Sequence, residues 1–297
     1  MSMSWWEISI LCHANLEEYI FWRLEQFGCS GTAKSIKGKS YLIYAYIPEI
    51  QEVSPDLAAL SLCLQEDALL SGFPPPLTSW KLIDEEDWAS SWKEHWQPTK
   101  VGDHFLIYPA WLTPPQENDR FILRLDPGAA FGTGTHATTQ LCLESLEMYL
   151  LDSTRETIVA DIGSGSGILS IGAILLGAAK LYAVDIDPLA INAARHNRHL
   201  NQIHPSILVI NQGSVQEILN LVPEGVDGIL CNILAEVIIE LIPQLTALAK
   251  PNAWGIFSGI LLDQSQVIVD ILEQYGWVVT TICKQQEWCC IQILRRS

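Results

Sequence analysis

The sequence predicts an α/β fold in which a doubly wound, mostly parallel sheet of seven strands follows a small α+β domain. Two observations predict the sheet. From residue 157 onward, short apolar runs alternate with helical patterns, and a glycine-rich turn follows the first run. Short apolar runs suit strands buried on both faces of a parallel sheet, and the alternation with helices is typical of doubly wound folds. Such sheets bind ligands at the carboxyl ends of their strands.

The strands of this sheet are predicted from their apolar runs. The last two runs lie too close together for a helix between them, so we expect them to form an antiparallel hairpin. The five predicted parallel strands are Thr157–Ala160, Leu181–Val184, Ile207–Ile210, Gly228–Cys231 and Ala253–Phe257, and the hairpin joins Trp277–Cys283 to Trp288–Leu294.

The leading part of the chain predicts a small α+β domain with no catalytic constellation. Its strand and helix signals are modest in length, and glycines end both helical patterns. The predicted elements are a strand at Trp5–Leu11, a helix from Asn15 to Gly28, a strand at Ser40–Ile47, a helix from Ser54 to Gly72 and a strand at Leu77–Ile83.

A stiff break near Phe73 divides the chain, because the three prolines that follow lock the backbone into an extended form. We therefore expect the small domain to span residues 1–75 and the main domain to span residues 101–297. Residues 76–100 are predicted to be a linker with a helix that carries Trp88, Trp92 and Trp96 on one face, where they pack against the main domain.

The composition excludes several classes of protein. No apolar run is long enough for a membrane helix, and the N-terminus lacks the basic and apolar segments of a secretory signal. The eight cysteines are scattered without metal-site spacing, which indicates reduced structural thiols. A formal charge of -17 repels phosphates, so direct reading of nucleic acid is not expected. We expect a cytoplasmic monomer without a metal ion.

The glycine-rich turn after the first predicted parallel strand is the main candidate for a cofactor site. Gly163, Gly165 and Gly167 alternate there, so the backbone can approach a ligand closely. The dinucleotide pattern fails because Ile168 stands at its third glycine. Asp161, predicted at the mouth of the loop, would repel a pyrophosphate and attract the ammonium and sulfonium of S-adenosylmethionine. The turn is therefore predicted to bind S-adenosylmethionine.

Polar residues follow the next two predicted strands. Asp185 ends the second strand, where α/β nucleotide sites place a carboxylate that accepts hydrogen bonds from both ribose hydroxyls. Asp187 precedes Pro188 at the start of a helix, so we expect it to be the N-cap residue. Ser214 follows the third strand and is expected to contact the adenine edge.

Asn232 ends the fourth predicted strand and is the candidate catalytic residue. Its amide oxygen can accept a hydrogen bond from an amine and aim the lone pair at the methyl group of the cofactor. Enzymes that methylate planar amides or adenine commonly continue with Pro-Pro-Tyr, whereas Ile233 and Leu234 follow here. The absence of a stacking ring favours an aliphatic amine over a flipped base.

Residues 126–139 form a glycine- and threonine-rich segment before a helix. We expect it to fold over the cofactor, with Thr139 or its neighbours donating hydrogen bonds. His136 in this segment is a possible general base, since a lysine amine has a pKa near 10.4 and must lose a proton before attack. Proton loss to water, with the amine oriented by Asn232 and backbone carbonyls, is the alternative route.

These motifs together resemble the methyltransferases of ribosomal protein L11, the PrmA family. The resemblance covers essentially the whole chain, and it implies a class I, Rossmann-like methyltransferase fold. Mild departures are Ser164 in place of Cys, Ala137 in place of Pro and Cys231 in place of Ala. The matching segments are 126–139, 161–167, 185–188, 232–235, 258–261 with Gln264, and Glu287-Trp288.

The resemblance implies methylation of lysine ε-amines and of the N-terminal α-amine of ribosomal protein L11, free or on the ribosome. It implies that the small domain holds this substrate and that Thr139, Gly163, Asp185 and Asn232 contact S-adenosylmethionine. Two alternatives remain open on the residues alone. In the first, the enzyme uses the same cofactor but methylates another protein, a small amine or a glutamine. In the second, the chain is a catalytically silent module that binds the cofactor.

Overall fold

The computed structural model describes residues 4–29, 32–37, 40–49, 56–83, 96–115, 118–126, 134, 136–151 and 156–296. The chain divides into two compact units, Met1–Gln97 and Pro98–Ser297. No α-helix in the described part of the chain has the length and apolar character needed to cross a bilayer.

In its described residues, the first unit contains a four-stranded antiparallel sheet and two α-helices. The elements are β1 (Trp5–His13), α1 (Glu17–Gln26), β2 (Thr32–Lys37), β3 (Ser40–Pro48), α2 (Leu57–Leu70) and β4 (Leu77–Ile83). The strand order is β2-β3-β1-β4. The core of the unit contains the inward side chains of the central strands and of the helices, such as Ile10, Leu24 and Leu60.

Two details of this unit differ from the sequence prediction. Strand β4 pairs along its whole length with β1, so the unit extends past residue 75, where the small domain was predicted to end. Strand β2 was not predicted, and its composition explains this because two lysines and a serine interrupt its apolar residues. Of the predicted tryptophan helix, Trp88 and Trp92 lie outside the described residues.

The second unit begins with a small sheet that was also not predicted. It consists of β5 (Thr99–Val101), β6 (Phe105–Pro109) and β7 (Phe121–Leu125), in the order β5-β6-β7. Strands β6 and β7 are parallel, and β7 is an edge strand that leads directly to Asp126.

A seven-stranded sheet forms the centre of the second unit. Its strands are β8 (Ile158–Ile162), β9 (Lys180–Asp185), β10 (Leu208–Gln212), β11 (Val226–Asn232), β12 (Ala249–Leu261), β13 (Trp277–Gln285) and β14 (Trp288–Arg295). Their order in the sheet is β10-β9-β8-β11-β12-β14-β13. The helices are α3 (Ala137–Leu150), α4 (Ile168–Leu175), α5 (Pro188–Leu200), α6 (Val215–Leu221), α7 (Ala235–Leu248) and α8 (Ser265–Gln274).

The first five strands of this sheet are parallel, and β14 pairs antiparallel with both β12 and β13. The predicted doubly wound sheet and the terminal hairpin are therefore confirmed. After β8 the chain adds β9 and β10 on one side of it, and it then returns to place β11 on the other side. The crevice between β8 and β11 is the topological switch point, where such sheets bind ligands.

Candidate functional site

The carboxyl ends of four neighbouring strands bring the predicted site residues to one edge of the sheet. Asp185 and Asn232 are the last residues of β9 and β11. Gly163 directly follows β8, and Ser214 lies just after β10. The four strands are neighbours in the order β10-β9-β8-β11. Adjacent parallel strands end at the same edge, so positions far apart in sequence become neighbours. The structure thus assembles the predicted residues around the switch point.

Positive φ angles and close packing give the glycine turn its shape. Gly163, Gly165 and Gly167 have φ angles of 73°, 52° and 79°, a region that side chains rarely adopt. A Cβ added at Gly163 would lie 2.2 Å from Cγ2 of Ile233. A Cβ added at Gly167 would lie 3.2 Å from the Cβ of Ala194. The turn therefore requires glycine for its backbone and for the space around it.

Asp161 lies beneath the glycine turn rather than at its mouth, which corrects the predicted position. The residue is only 1% exposed, and its Oδ2 accepts a hydrogen bond of 2.6 Å from the hydroxyl of Ser170 on α4. Burial raises the pKa of this carboxyl to about 7. Sequence reasoning missed Ser170, and the only available signal was a hydroxyl in the first turn of the helix that the glycines open.

This buried acid predicts a specific dependence of stability on pH. Between about pH 4 and pH 7 the folded protein holds a proton on Asp161 that the unfolded chain has lost. The free energy of unfolding should therefore fall as pH rises through this window, by about 1.4 kcal/mol per pH unit from this group. Asp161→Asn, which cannot titrate, should gain stability relative to the wild type as pH rises. Denaturant titrations between pH 4.5 and 7.5 measure the difference, and parallel curves would contradict the assignment.

The Asp185 carboxylate is fixed by two backbone hydrogen bonds. Its Oδ2 accepts from the backbone N of Gly165 at 2.9 Å, and its Oδ1 accepts from the backbone N of Asp187 at 3.0 Å. Asp187 itself is the N-cap of α5, where its carboxylate accepts from the backbone N of Leu189 at 2.8 Å. The predicted capping role of Asp187 is confirmed, and Asp185 is tied directly to the glycine turn.

Ser214 and Asn232 are the other two predicted residues at the carboxyl edge of the sheet. Ser214 is half-buried at the N-cap position of α6, and its side chain makes no capping hydrogen bond. Asn232 is half-buried at the end of β11, directly opposite Ser258 of β12. Within the described ranges, no group forms a hydrogen bond with the Asn232 amide. Both side chains are therefore available to a ligand.

Ile233, which follows Asn232, packs closely against both Gly163 and Gly259. Its side chain packs on Gly163, and its backbone O would lie 2.1 Å from a Cβ added at Gly259. The position of Asn232 is therefore coupled to the glycine turn on one side and to β12 on the other.

The start of α3 lies at the same edge of the sheet. Trp288 pairs with Leu261, the last residue of β12, and the Trp288 ring lies 5.0 Å from the ring of His136. His136 is the N-cap of α3, and Thr139 follows in the first turn. The hydroxyl of Thr139 is buried without a hydrogen-bond partner in the described structure, and so is that of Ser164 on the glycine turn.

His136 has the environment of a structural residue. Its Nδ1 accepts from the backbone N of Thr138 at 3.3 Å and lies 2.8 Å from the Thr138 hydroxyl. Burial lowers the pKa of the imidazole to about 4. A base this weak is poorly matched to an amine with a pKa near 10.4, so the capping role accounts for this residue better than general-base catalysis.

The cysteines form neither disulfides nor a metal cluster in the part of the chain that the structure covers. All eight are free thiols, and five of them are buried. No group of three or more His, Cys, Asp or Glu side chains converges there in a metal-binding arrangement.

Comparison with known proteins identifies the family. The sequence model of the ribosomal protein L11 methyltransferases (PrmA) matches residues 4–296. A ribosomal protein L11 methyltransferase from Cyanothece sp. is 54% identical over 299 aligned residues, which cover 99% of this chain and 100% of its own. A protein of the same name from Thermosynechococcus vestitus is 49% identical over 98% of this chain and 97% of its own.

A solved structure agrees with this result. The ribosomal protein L11 methylase from Lactobacillus delbrueckii subsp. bulgaricus matches with a TM-score of 0.61 and 34% identity, over 68% of this chain and 100% of that one. The sheet is thus the Rossmann-like fold of class I methyltransferases. Because the family match spans nearly the whole chain, the chain belongs to the PrmA family of ribosomal protein L11 methyltransferases, and it is an enzyme that methylates protein with S-adenosylmethionine.

Proposed function

We propose that this enzyme transfers methyl groups to amines of ribosomal protein L11, namely lysine ε-amines and the N-terminal α-amine. The observation that carries the proposal is the amide of Asn232, which lies at the switch point with no hydrogen-bond partner among the described residues and is followed by Ile233 instead of an aromatic ring. The names and near-complete coverage of the relatives support the same acceptor.

The residues at the carboxyl edge fit S-adenosylmethionine. Bound there, the cofactor supplies an electrophilic methyl group on a sulfonium. We propose that the glycine backbone and Asp185 bind its amino-acid and ribose parts and that Ser214 lies at its adenine edge. Asp161 supports the turn from below through Ser170. The full proposed set is Thr139, Asp161, Gly163, Gly165, Gly167, Asp185, Ser214 and Asn232.

The unpaired hydroxyl of Thr139 gives a test of this fit. A buried hydroxyl without a partner costs free energy, so Thr139→Val should leave the melting temperature of the free enzyme unchanged or raised. If the hydroxyl bonds the cofactor, the same change should weaken S-adenosylmethionine binding by about 3- to 10-fold. Thr138→Val is the matched control. It removes a hydroxyl that contacts Nδ1 of His136, so it should lower the melting temperature.

Calorimetry and thermal melting of both variants measure these effects. Unchanged affinity in Thr139→Val would remove this residue from the proposed cofactor site.

We propose that Asn232 prepares the acceptor amine. Its amide oxygen accepts a hydrogen bond from the amine and directs the lone pair toward the methyl group, and the released proton passes to water. Orientation of this kind is a large source of rate in transfer between two bound reactants. The packing of Ile233 against Gly163 supports this role, because it fixes Asn232 relative to the glycine turn.

We propose that the first unit holds ribosomal protein L11. Its α+β fold carries none of the proposed cofactor residues, and the formal charge of -17 on the chain favours a basic protein over a nucleic acid. Hydrogen–deuterium exchange of the full chain, with and without ribosomal protein L11, should find protection concentrated within residues 4–83. Protection confined to the second unit would contradict this role.

The main experiment identifies the acceptor. The full-length enzyme is incubated with labelled S-adenosylmethionine and with ribosomal protein L11, either free or in large ribosomal subunits, and mass spectrometry locates the methyl groups. Label on lysines and on the N-terminus of ribosomal protein L11 is expected. Label in another protein or only in small molecules would overturn the proposed substrate. We further propose that the enzyme acts as a monomer in the cytoplasm, without reading nucleic acid directly and without a membrane.

A further inference from the structure

One asparagine on α5 joins two segments of the second unit that are distant in sequence. Asn197 is completely buried. Its Nδ2 donates a hydrogen bond of 2.9 Å to the backbone O of Ser166, and its Oδ1 accepts one of 2.8 Å from the backbone N of Asp126. Both ends of the amide are thus used to connect the glycine turn to the end of β7.

The bond to Ser166 acts on the middle of the glycine turn. Ser166 is completely buried between Gly165, whose N donates to Asp185, and Gly167, which packs on Ala194 of the same helix. Ser166 is thus directly next to the residue whose backbone holds Asp185. Helix α5 contacts the turn through both Ala194 and Asn197.

The bond to Asp126 belongs to a second set of contacts along the same helix. Strand β7 is the edge of its sheet, so its outer backbone groups need partners. Asn201, one helical turn after Asn197, accepts from the backbone N of Arg124 at 2.9 Å and donates to the backbone O of Arg124 at 2.7 Å. Asn201 thus pairs with β7 and Asn197 with the residue that follows it, and of the two only Asn197 also bonds the glycine turn.

We propose that Asn197 is a positioning residue for the methyltransferase reaction, and that it tunes the affinity for S-adenosylmethionine by fixing the glycine turn relative to the end of β7. Because it is completely buried, it acts through Ser166 and Asp126 and not by touching the cofactor. The inference rests on the assignment of the glycine turn to the cofactor, and it is independent of which amine is methylated.

The test compares Asn197→Ala with Asn201→Ala, a change at the C-cap of the same helix. Asn201→Ala removes the two hydrogen bonds to Arg124 and one to the backbone O of Asn197, but none to Ser166. Both variants should melt at lower temperature. Asn197→Ala should raise the Kd for S-adenosylmethionine and its KM by about 10-fold while kcat at saturating cofactor changes less, whereas Asn201→Ala should stay within about 2-fold. Equal shifts in both variants, or no shift in Asn197→Ala, would overturn the proposal.

A second variant covers the case in which Asn197→Ala does not fold, and it adds a pH profile. A protonated aspartic acid can reproduce both hydrogen bonds, since its O–H donates and its C=O accepts. An ionised one cannot donate to Ser166. The Kd of Asn197→Asp for S-adenosylmethionine, relative to wild type, should be near normal at low pH and rise with pH. A flat ratio would contradict the proposal.

Asp185→Ala separates the assignment of the glycine turn to the cofactor from the positioning role of Asn197. If it leaves the affinity unchanged, the assignment of the glycine turn to the cofactor fails. If it weakens binding and Asn197→Ala does not, only the role of Asn197 fails.

Discussion

Asn232→Ala is expected to lower kcat for methylation by about 100-fold, because the acceptor amine loses the group that orients its lone pair. The melting temperature should change little, since the amide has no hydrogen-bond partner among the described residues. S-adenosylmethionine should still bind, with a Kd that changes far less than kcat. Single-turnover kinetics with saturating cofactor, together with calorimetry, separate the two effects.

Asn220→Ala is the matched control for this prediction, because Asn220 is exposed on α6, away from the switch point. It should retain wild-type rates. A kcat near wild type in Asn232→Ala, or a loss explained wholly by cofactor affinity, would show that Asn232 does not prepare the nucleophile.

Gly163→Ala is expected to damage cofactor binding and the positioning of Asn232 together. The new Cβ would lie 2.2 Å from Cγ2 of Ile233, and the φ angle of 73° adds backbone strain. Relief requires that the turn or Ile233 move. Overpacking of this kind costs about 1–3 kcal/mol, which corresponds to about 5- to 150-fold in affinity for S-adenosylmethionine. Thermal melting and calorimetry measure the two losses.

Gly276→Ala distinguishes strain from steric clash. Gly276 has a φ angle of 82°, and a Cβ there would meet no atom within 4 Å. This control should lose stability from backbone strain alone and keep wild-type affinity. If the two variants behave alike, the packing of Ile233 against the turn does not determine the cofactor site.

The sheet was predictable because its central strands, such as β8, β9 and β11, are buried on both faces. Each of the five parallel strands contains an uninterrupted apolar run, and the adjacent runs Trp277–Cys283 and Trp288–Leu294 leave no room for a crossover helix. The positions of Asp185 and Asn232 followed from the same rule, since residues at the carboxyl ends of parallel strands converge. The Asp187 cap was predictable from its neighbour Pro188.

Other features depend on long-range contacts that leave no local signal. Strand β5 has three residues, and the parallel pairing of β6 with β7 joins segments that are not adjacent in sequence. The buried carboxylate of Asp161 finds its hydrogen-bond partner, Ser170, on the following helix. The boundary at residue 75 was wrong because β4 pairs with β1 across the whole small domain. The sequence gives no sign that Asn197 is special, because its two partners, Ser166 and Asp126, lie far from it in the chain.

The outer strands of the seven-stranded sheet also bear on how the protein avoids aggregation. An edge strand exposes unpaired backbone groups that can recruit another chain. Strand β13, at one edge, has a register irregularity between Val279 and Thr281 and an exposed lysine, Lys284. Strand β10, at the other edge, has only five residues. An edge interrupted by a register irregularity and a lysine, and a short edge, are poor templates for further pairing.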